Sequence, residues 1–189
     1  MLRDHIVKTA AEHYARYGIK SVSMNQIAQE LRISKKTLYT EFDNKTQLIS
    51  ECITLEMEYF LQKIIQVKKD AASSLEALYK ANILLIRRIC VLCPAFHMDI
   101  QRIPDVTEKF ESYKDLINEQ LLEIYKNGVK EESLLPEIDF MVIMGIYTEQ
   151  LHKLNSEKQG ILLKAFLQGV CTEQGRCELK NISKANQYS

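Results

Sequence analysis

Proline and glycine are scarce in this chain, at 3 and 6 among 189 residues. So few breakers over that length argue against many short strands joined by tight turns, and for long helices. Long apolar runs are also missing. A stretch such as FMVIMGIY at 140–147 falls far short of the ~20 residues that span a bilayer. The first residues, MLRDHIVKTAAEHYARYG, are amphipathic and carry acids, without the apolar core and small-residue cleavage site of a secretory signal. The five cysteines, an odd number with no such signal, fit reduced thiols. The expectation is a soluble cytoplasmic protein without a membrane partner. No Gly-rich phosphate loop, G-x-S-x-G elbow, His-rich metal motif or paired carboxylates appear, so no enzyme, cofactor or metal is expected.

Net charge is zero over the chain, which gives no general polyanion binder. Its distribution says more. Residues 1–48 hold eight Lys/Arg against five acids, and the rest carries the matching acidic excess. A basic N-terminal part on an acidic body suggests a polyanion partner at that end.

Helical stripes organise the chain. Ile6, Ala10, Tyr14 and Tyr17 form the first, and Gly18 stops it. Ser23 with Gln26 makes a capping box ahead of Ile27, Ala28 and Leu31. Ser34 caps a third helix from Lys35 to near Phe42, and Asp43-Asn44 caps a fourth. Further helices are expected from Ser73 or Ser74 to Cys93-Pro94, from Pro104 to Asn127-Gly128, from Pro136 through Phe140, Met144, Tyr147 and Leu151, and from about Glu157 to Cys177. In that last helix Ile161, Ala165, Gln168 and Val170 form the stripe. The polar tail from Asn181 is expected to fray.

The segment G18-IKSVSMNQIAQELRISKKTLYTEF-42 is the informative one. It reads as two short helices around a tight turn, with the small Ala28 where they cross. One helix braces on the DNA backbone, and the next presents a basic, hydroxyl-rich start, Ser34-Lys35-Lys36-Thr37, to the major groove. The helix dipole favours phosphate there as well.

Ile6, Ala10, Ala11, Tyr14, Gly18, Ser23, Ile27, Ala28, Ile33, Ser34, Lys35, Thr37, Leu38, Tyr39, Phe42, Lys45 and Leu48 resemble, in register, the DNA-binding domain of the TetR family of bacterial repressors. The resemblance implies an all-α protein of about nine helices. Its DNA-binding domain would be a three-helix helix-turn-helix over 1–47, and a helical effector-binding and dimerisation domain would cover 48–189. Lys35, Lys36, Thr37 and Thr40 would reach bases or phosphates, Tyr39 would place its hydroxyl on a phosphate, and Ser23, Ser34 and Lys45 would meet the backbone at helix starts. Arg32 stands where the family usually has glycine, and is either a further phosphate contact or simply exposed. Glu41 is expected to point away from DNA, and Leu38 and Phe42 to be core.

The same resemblance implies a homodimer formed through the last two helices, a palindromic double-stranded operator, and a small effector that releases it. For an apolar or aromatic effector, the candidate lining is Tyr59, Phe60, Phe96, His97, Phe110, Tyr113, Met144 and Tyr147, residues that also suit an ordinary core. Two alternatives stand beside this reading. Cys90, Cys93 and His97 offer three soft ligands for redox or metal sensing. A helical protein-interaction module would leave the 34–45 segment idle. Asp99, Arg102 and Asp105 are expected to form a surface ion-pair set.

Overall fold

A computed structural model describes residues 2–185. Among the described residues it has ten helices: α1 (Leu2–Tyr17), α2 (Met24–Glu30), α3 (Lys35–Glu41), α4 (Lys45–Asp70), α5 (Ser74–Val91), α6 (Pro94–Ile100), α7 (Pro104–Lys130), α8 (Phe140–Leu151), α9 (Ser156–Val170) and α10 (Glu173–Ala185). The fold is all-α. No helix is long and apolar enough to cross a membrane among the described residues.

Two compact units divide the chain. The first is bounded by Met1–Leu61 with Val91–Asp115, the second by Gln62–Cys90 with Leu116–Ser189. The first unit therefore takes in most of α4, α6 and the start of α7 as well as α1–α3. Its core is Ile6, Ala10, Tyr14, Ile27, Ala28, Leu38, Phe42 and Leu48, all nearly or fully buried. Tyr17 leaves the expected α1 stripe and is exposed, because the chain turns at Gly18 (φ +84°). There Gly18 N–H returns to Tyr14 O at 2.9 Å. A Cβ at Gly18 would lie 3.1 Å from Ala95 Cβ, so close packing of α6 adds a steric demand to the conformational one.

In the second unit, α8 buries Phe140, Met144, Tyr147 and Leu151, as the stripe predicts. Asp139, not Pro136, caps that helix, its side chain accepting from Val142 N. Tyr147 stacks on Phe166 with ring centroids 4.4 Å apart. Two expectations for α9 are corrected. The helix stops at Val170, and α10 starts separately at Glu173. The break comes from tertiary pairing: Leu134 bridges Cys171, Leu135 N–H donates to Val170 O at 2.9 Å and Thr172 N–H to Ser133 O at 3.1 Å. The buried face of α9 is Gln159, Leu163, Phe166, Leu167 and Val170, whereas Ile161, Ala165 and Gln168 face outward. Helix α7 continues past Asn127-Gly128 to Lys130, and α10 stays helical beyond Asn181 to Ala185.

Candidate nucleic-acid interface

Local chemistry builds the helix-turn-helix. At Ser23 the capping box is complete: its hydroxyl accepts from Gln26 N at 3.2 Å, and its own N–H donates to Gln26 Oε1 at 2.7 Å. Helix α2 ends in a Schellman closure, with Arg32 N–H on Gln29 O and Ile33 N–H on Ala28 O, both at 3.0 Å. Arg32 occupies the left-handed position of that closure at φ +54°, which favours glycine. The turn thus takes the conformation that a glycine would favour, adopted by a residue that is strained there and exposed.

Ser34 caps α3 through Thr37 N at 3.0 Å and also bonds Thr37 Oγ1 at 2.8 Å. Leu38 and Phe42 are completely buried, which fixes the outward face. That face carries Ser34, Lys35, Lys36, Tyr39 and Thr40, all exposed. Tyr39 is 50% exposed although it is aromatic. Thr37 is half-buried, and the Thr40 hydroxyl donates to Lys36 O at 2.9 Å.

Glu41 lies on the Arg3 side of α3, its Oε2 3.7 Å from Arg3 Nη1. Arg3 also donates to the Glu41 carbonyl and pairs with Glu51. The opposite charges of Glu51 and Glu41 push the Arg3 pKa upward, with the Glu51 hydrogen bond the largest cause. The sequence offered no sign that Arg3 holds the end of the recognition helix, since its partners lie far along the chain.

Lys45, which the resemblance places at the DNA backbone, is also tied into the fold. Its Nζ is half-buried and donates to Ile19 O at 2.6 Å. Burial lowers its pKa, and the charge of Asp99 opposes that shift. Asn44, one residue earlier, caps α4 by accepting from Gln47 N at 2.9 Å. Asp99 is not the surface residue that was expected. It is 4% exposed and accepts from Lys20 N at 2.9 Å, although Arg102 Nη1 does approach it at 3.5 Å.

The candidate effector residues are distributed over both units. Tyr59, Phe60, Phe96, His97, Phe110 and Tyr113 fall in the first unit, and Met144 and Tyr147 in the second. Phe96, His97 and Phe110 come together edge to face, at 6.1 and 5.9 Å. Tyr59 is 63% exposed, and the Tyr113 hydroxyl donates to Glu58 at 2.8 Å. The soft-ligand constellation is not assembled on one helix. Helix α5 ends at Val91, Cys93 is the N-cap of α6, and Cys90 Sγ donates to Gln159 Oε1 at 3.1 Å. No group of three His, Cys, Asp or Glu suited to a metal occurs among the described residues.

A capped, basic, outward-facing second helix behind a braced first helix defines a helix-turn-helix DNA-binding protein. The family model for "Bacterial regulatory proteins, tetR family" matches residues 6–52. An HTH-type transcriptional regulator of Staphylococcus aureus (strain USA300) is 26% identical over 134 residues, which is 69% of this chain and 68% of that one. The fold is similar to that of a TetR-family transcriptional regulator from Agrobacterium tumefaciens. That comparison has a TM-score of 0.79 at 17% identity and covers 90% of this chain and 97% of that one. A transcriptional regulator from Saccharomonospora viridis, solved in complex with choline, gives a TM-score of 0.75 at 16% identity, covering 91% and 98%. The N-terminal quarter of the chain is thus similar to the DNA-binding segment of TetR-family regulators, and the chain as a whole shares the fold of the solved regulators.

Proposed function

We propose that the protein is a cytoplasmic, dimeric repressor that binds a palindromic operator through α3 and leaves it when a small effector binds. The observation that carries the reading is the outward face of α3. It gathers Ser34, Lys35, Lys36, Tyr39 and Thr40 above the buried Leu38 and Phe42. The two lysines and Tyr39 supply phosphate contacts, and the hydroxyls and lysines supply base-edge contacts. Ser23 sits at the exposed start of α2, where it can meet the backbone, and Arg32 adds a cation at the turn. Thr37 is half-buried behind Ser34 and contributes chiefly to capping.

Dimerisation is supported by the exposed apolar residues of α8 and α9. Helix α8 is apolar on every side over residues 140–147. Beside its buried face it exposes Val142, Ile143 and Ile146, and α9 exposes Ile161 at 63%. A helix apolar all round belongs in an interior, and contiguous exposed apolar residues mark an interaction surface. A second copy of the chain covers this face, which makes a two-fold dimer suited to paired half-sites.

Effector release acts by differential affinity: a ligand that favours the conformation with mismatched recognition helices lowers DNA affinity by the same factor that DNA lowers its own. That the related S. viridis protein was solved with choline supports a small-molecule effector. The test is selection of bound fragments from genomic DNA by the full chain. Enrichment of a palindrome is the expected result; no enrichment, or a site without two-fold symmetry, contradicts the dimeric repressor.

A further inference from the structure

Two contacts described above fall on a single peptide group. Ile19 contributes its carbonyl, which accepts from Lys45 Nζ at 2.6 Å. Lys20 contributes its N–H, which donates to Asp99 Oδ2 at 2.9 Å. These are the two ends of the same peptide dipole, with a cation on the oxygen and an anion on the hydrogen, both in the favourable sense. Charge-assisted hydrogen bonds are the stronger kind, and a half-buried Lys45 and buried Asp99 are less screened than surface charges.

We infer that Lys45 and Asp99 are positioning residues for DNA binding, clamping the Ile19–Lys20 peptide so that the α1–α2 turn sets the placement of the helix-turn-helix. The inference rests on the regulator reading above. The clamped segment sits between the buried anchors Ile19 and Val22 and leads directly to Ser23, the cap of α2.

Its surroundings are close-fitting on the α6 side. Cys93 N–H donates to Ala15 O at 2.7 Å. A Cβ at Gly18 would stand 3.3 Å from Asp99 Oδ2. The two clamping residues come from helices that continue or follow elements of the second unit. Helix α4 crosses the boundary between Leu61 and Gln62, and α6 follows the crossing between Cys90 and Val91.

The experiment uses the full chain and Lys45→Met, Asp99→Ala, Asp99→Asn and the Lys45→Met/Asp99→Ala double variant. The probe is a labelled duplex carrying the sequence that the wild-type chain enriches from a random duplex library, titrated at several salt concentrations. Amide hydrogen exchange at Lys20 and thermal unfolding are followed in parallel. A clamp predicts that each disruptive single variant binds about tenfold more weakly and that the double variant is no weaker than the worse single one. Asp99→Asn, which keeps an acceptor oxygen, lies closer to wild type than Asp99→Ala in both affinity and Lys20 exchange. The slope of affinity against salt stays at the wild-type value in every variant, because no phosphate contact is lost.

Additive losses with normal enrichment by the wild type overturn the clamp and leave the regulator reading intact. A slope reduced by about one in Lys45→Met makes Lys45 a phosphate contact and overturns it likewise. Unchanged affinity with faster Lys20 exchange overturns the positioning role. Failure of the wild type to enrich any duplex removes the regulator reading, and the positioning role with it.

Discussion

The guanidinium of Arg3 lies 4.3 Å from the centroid of the Phe42 ring, so the N-terminal basic residue is held on the fold at the end of the recognition helix. Its Nε donates to Glu51 at 3.1 Å, and it also reaches the Glu41 carbonyl. Arg3→Ala is expected to destabilise the protein by about 1 kcal/mol, combining a partly exposed cation–π contact with a solvent-screened ion pair. Thermal unfolding checks the magnitude. The salt slope of DNA binding should stay unchanged, and a fall of about one would make Arg3 a DNA contact instead.

Arg32 at φ +54° sits in backbone space that costs a non-glycine residue roughly 1–2 kcal/mol. Glycine's larger loss of freedom on folding offsets part of that gain. Arg32→Gly is expected to raise stability by up to about 1 kcal/mol, and Arg32→Val to lower it, because a branched Cβ fits this region worst. Chemical denaturation of the two variants measures both signs; a less stable glycine variant would contradict the strain.

The uncovered face of α8 and α9 predicts assembly. Ile146→Glu and Ile161→Glu place a carboxylate on residues that are 55% and 63% exposed in the single chain. Both are expected to shift the protein from dimer to monomer in sedimentation analysis while leaving helicity unchanged. A wild-type chain that sediments as a monomer, or variants that remain dimeric, would place the interface elsewhere.

The thiols should separate by burial. Burial raises the pKa of Cys52 strongly and pushes that of Cys171 up to about 11, which leaves their thiolate fractions negligible near neutral pH. Cys90 and Cys177 are exposed. Alkylation at about pH 8, a little below the ordinary thiol pKa, followed by peptide mass spectrometry, is expected to label Cys90 and Cys177 in the native protein. Cys52 and Cys171 should be labelled only after unfolding. The same shifts set the sign of a pH effect: a thiol whose pKa is raised by folding stabilises the native state below its unfolded pKa, and that contribution is lost as pH rises above it. Stability should therefore decline above about pH 9, near the unfolded thiol pKa, a trend that unfolding curves across alkaline pH would reveal.

Most of the geometry of α2 and α3 was legible because it is local. Ser23 and Ser34 cap residues three positions on, and the spacing of Leu38 and Phe42 turns the lysines outward. Contacts that cross the sequence were not legible. Asp99 looked like one of three surface charges because its partner is a backbone N–H 79 residues away. Nor did the sequence show the bond of Lys45 to the Ile19 carbonyl, 26 residues away. The break after Val170 is flanked by Gly169 and Gly175, and a Cβ at Gly175 would run into the Ser133 carbonyl, but the break itself is produced by pairing with the 133–135 segment. In α9 the periodicity was real but the face was wrong. Ile161, Ala165 and Gln168 repeat as a stripe, and periodicity alone does not say whether a stripe meets its own core or another molecule.

The central claim is that the outward face of α3 holds DNA. It is tested most directly by the salt dependence of binding to the enriched duplex for wild type and for Lys35→Ala/Lys36→Ala. Both lysines are exposed, so the variant should keep its thermal stability. Its affinity should fall, and its slope of log affinity against log salt should be shallower by about two, close to 0.9 per released phosphate contact. Undiminished affinity with an unchanged slope would contradict the account.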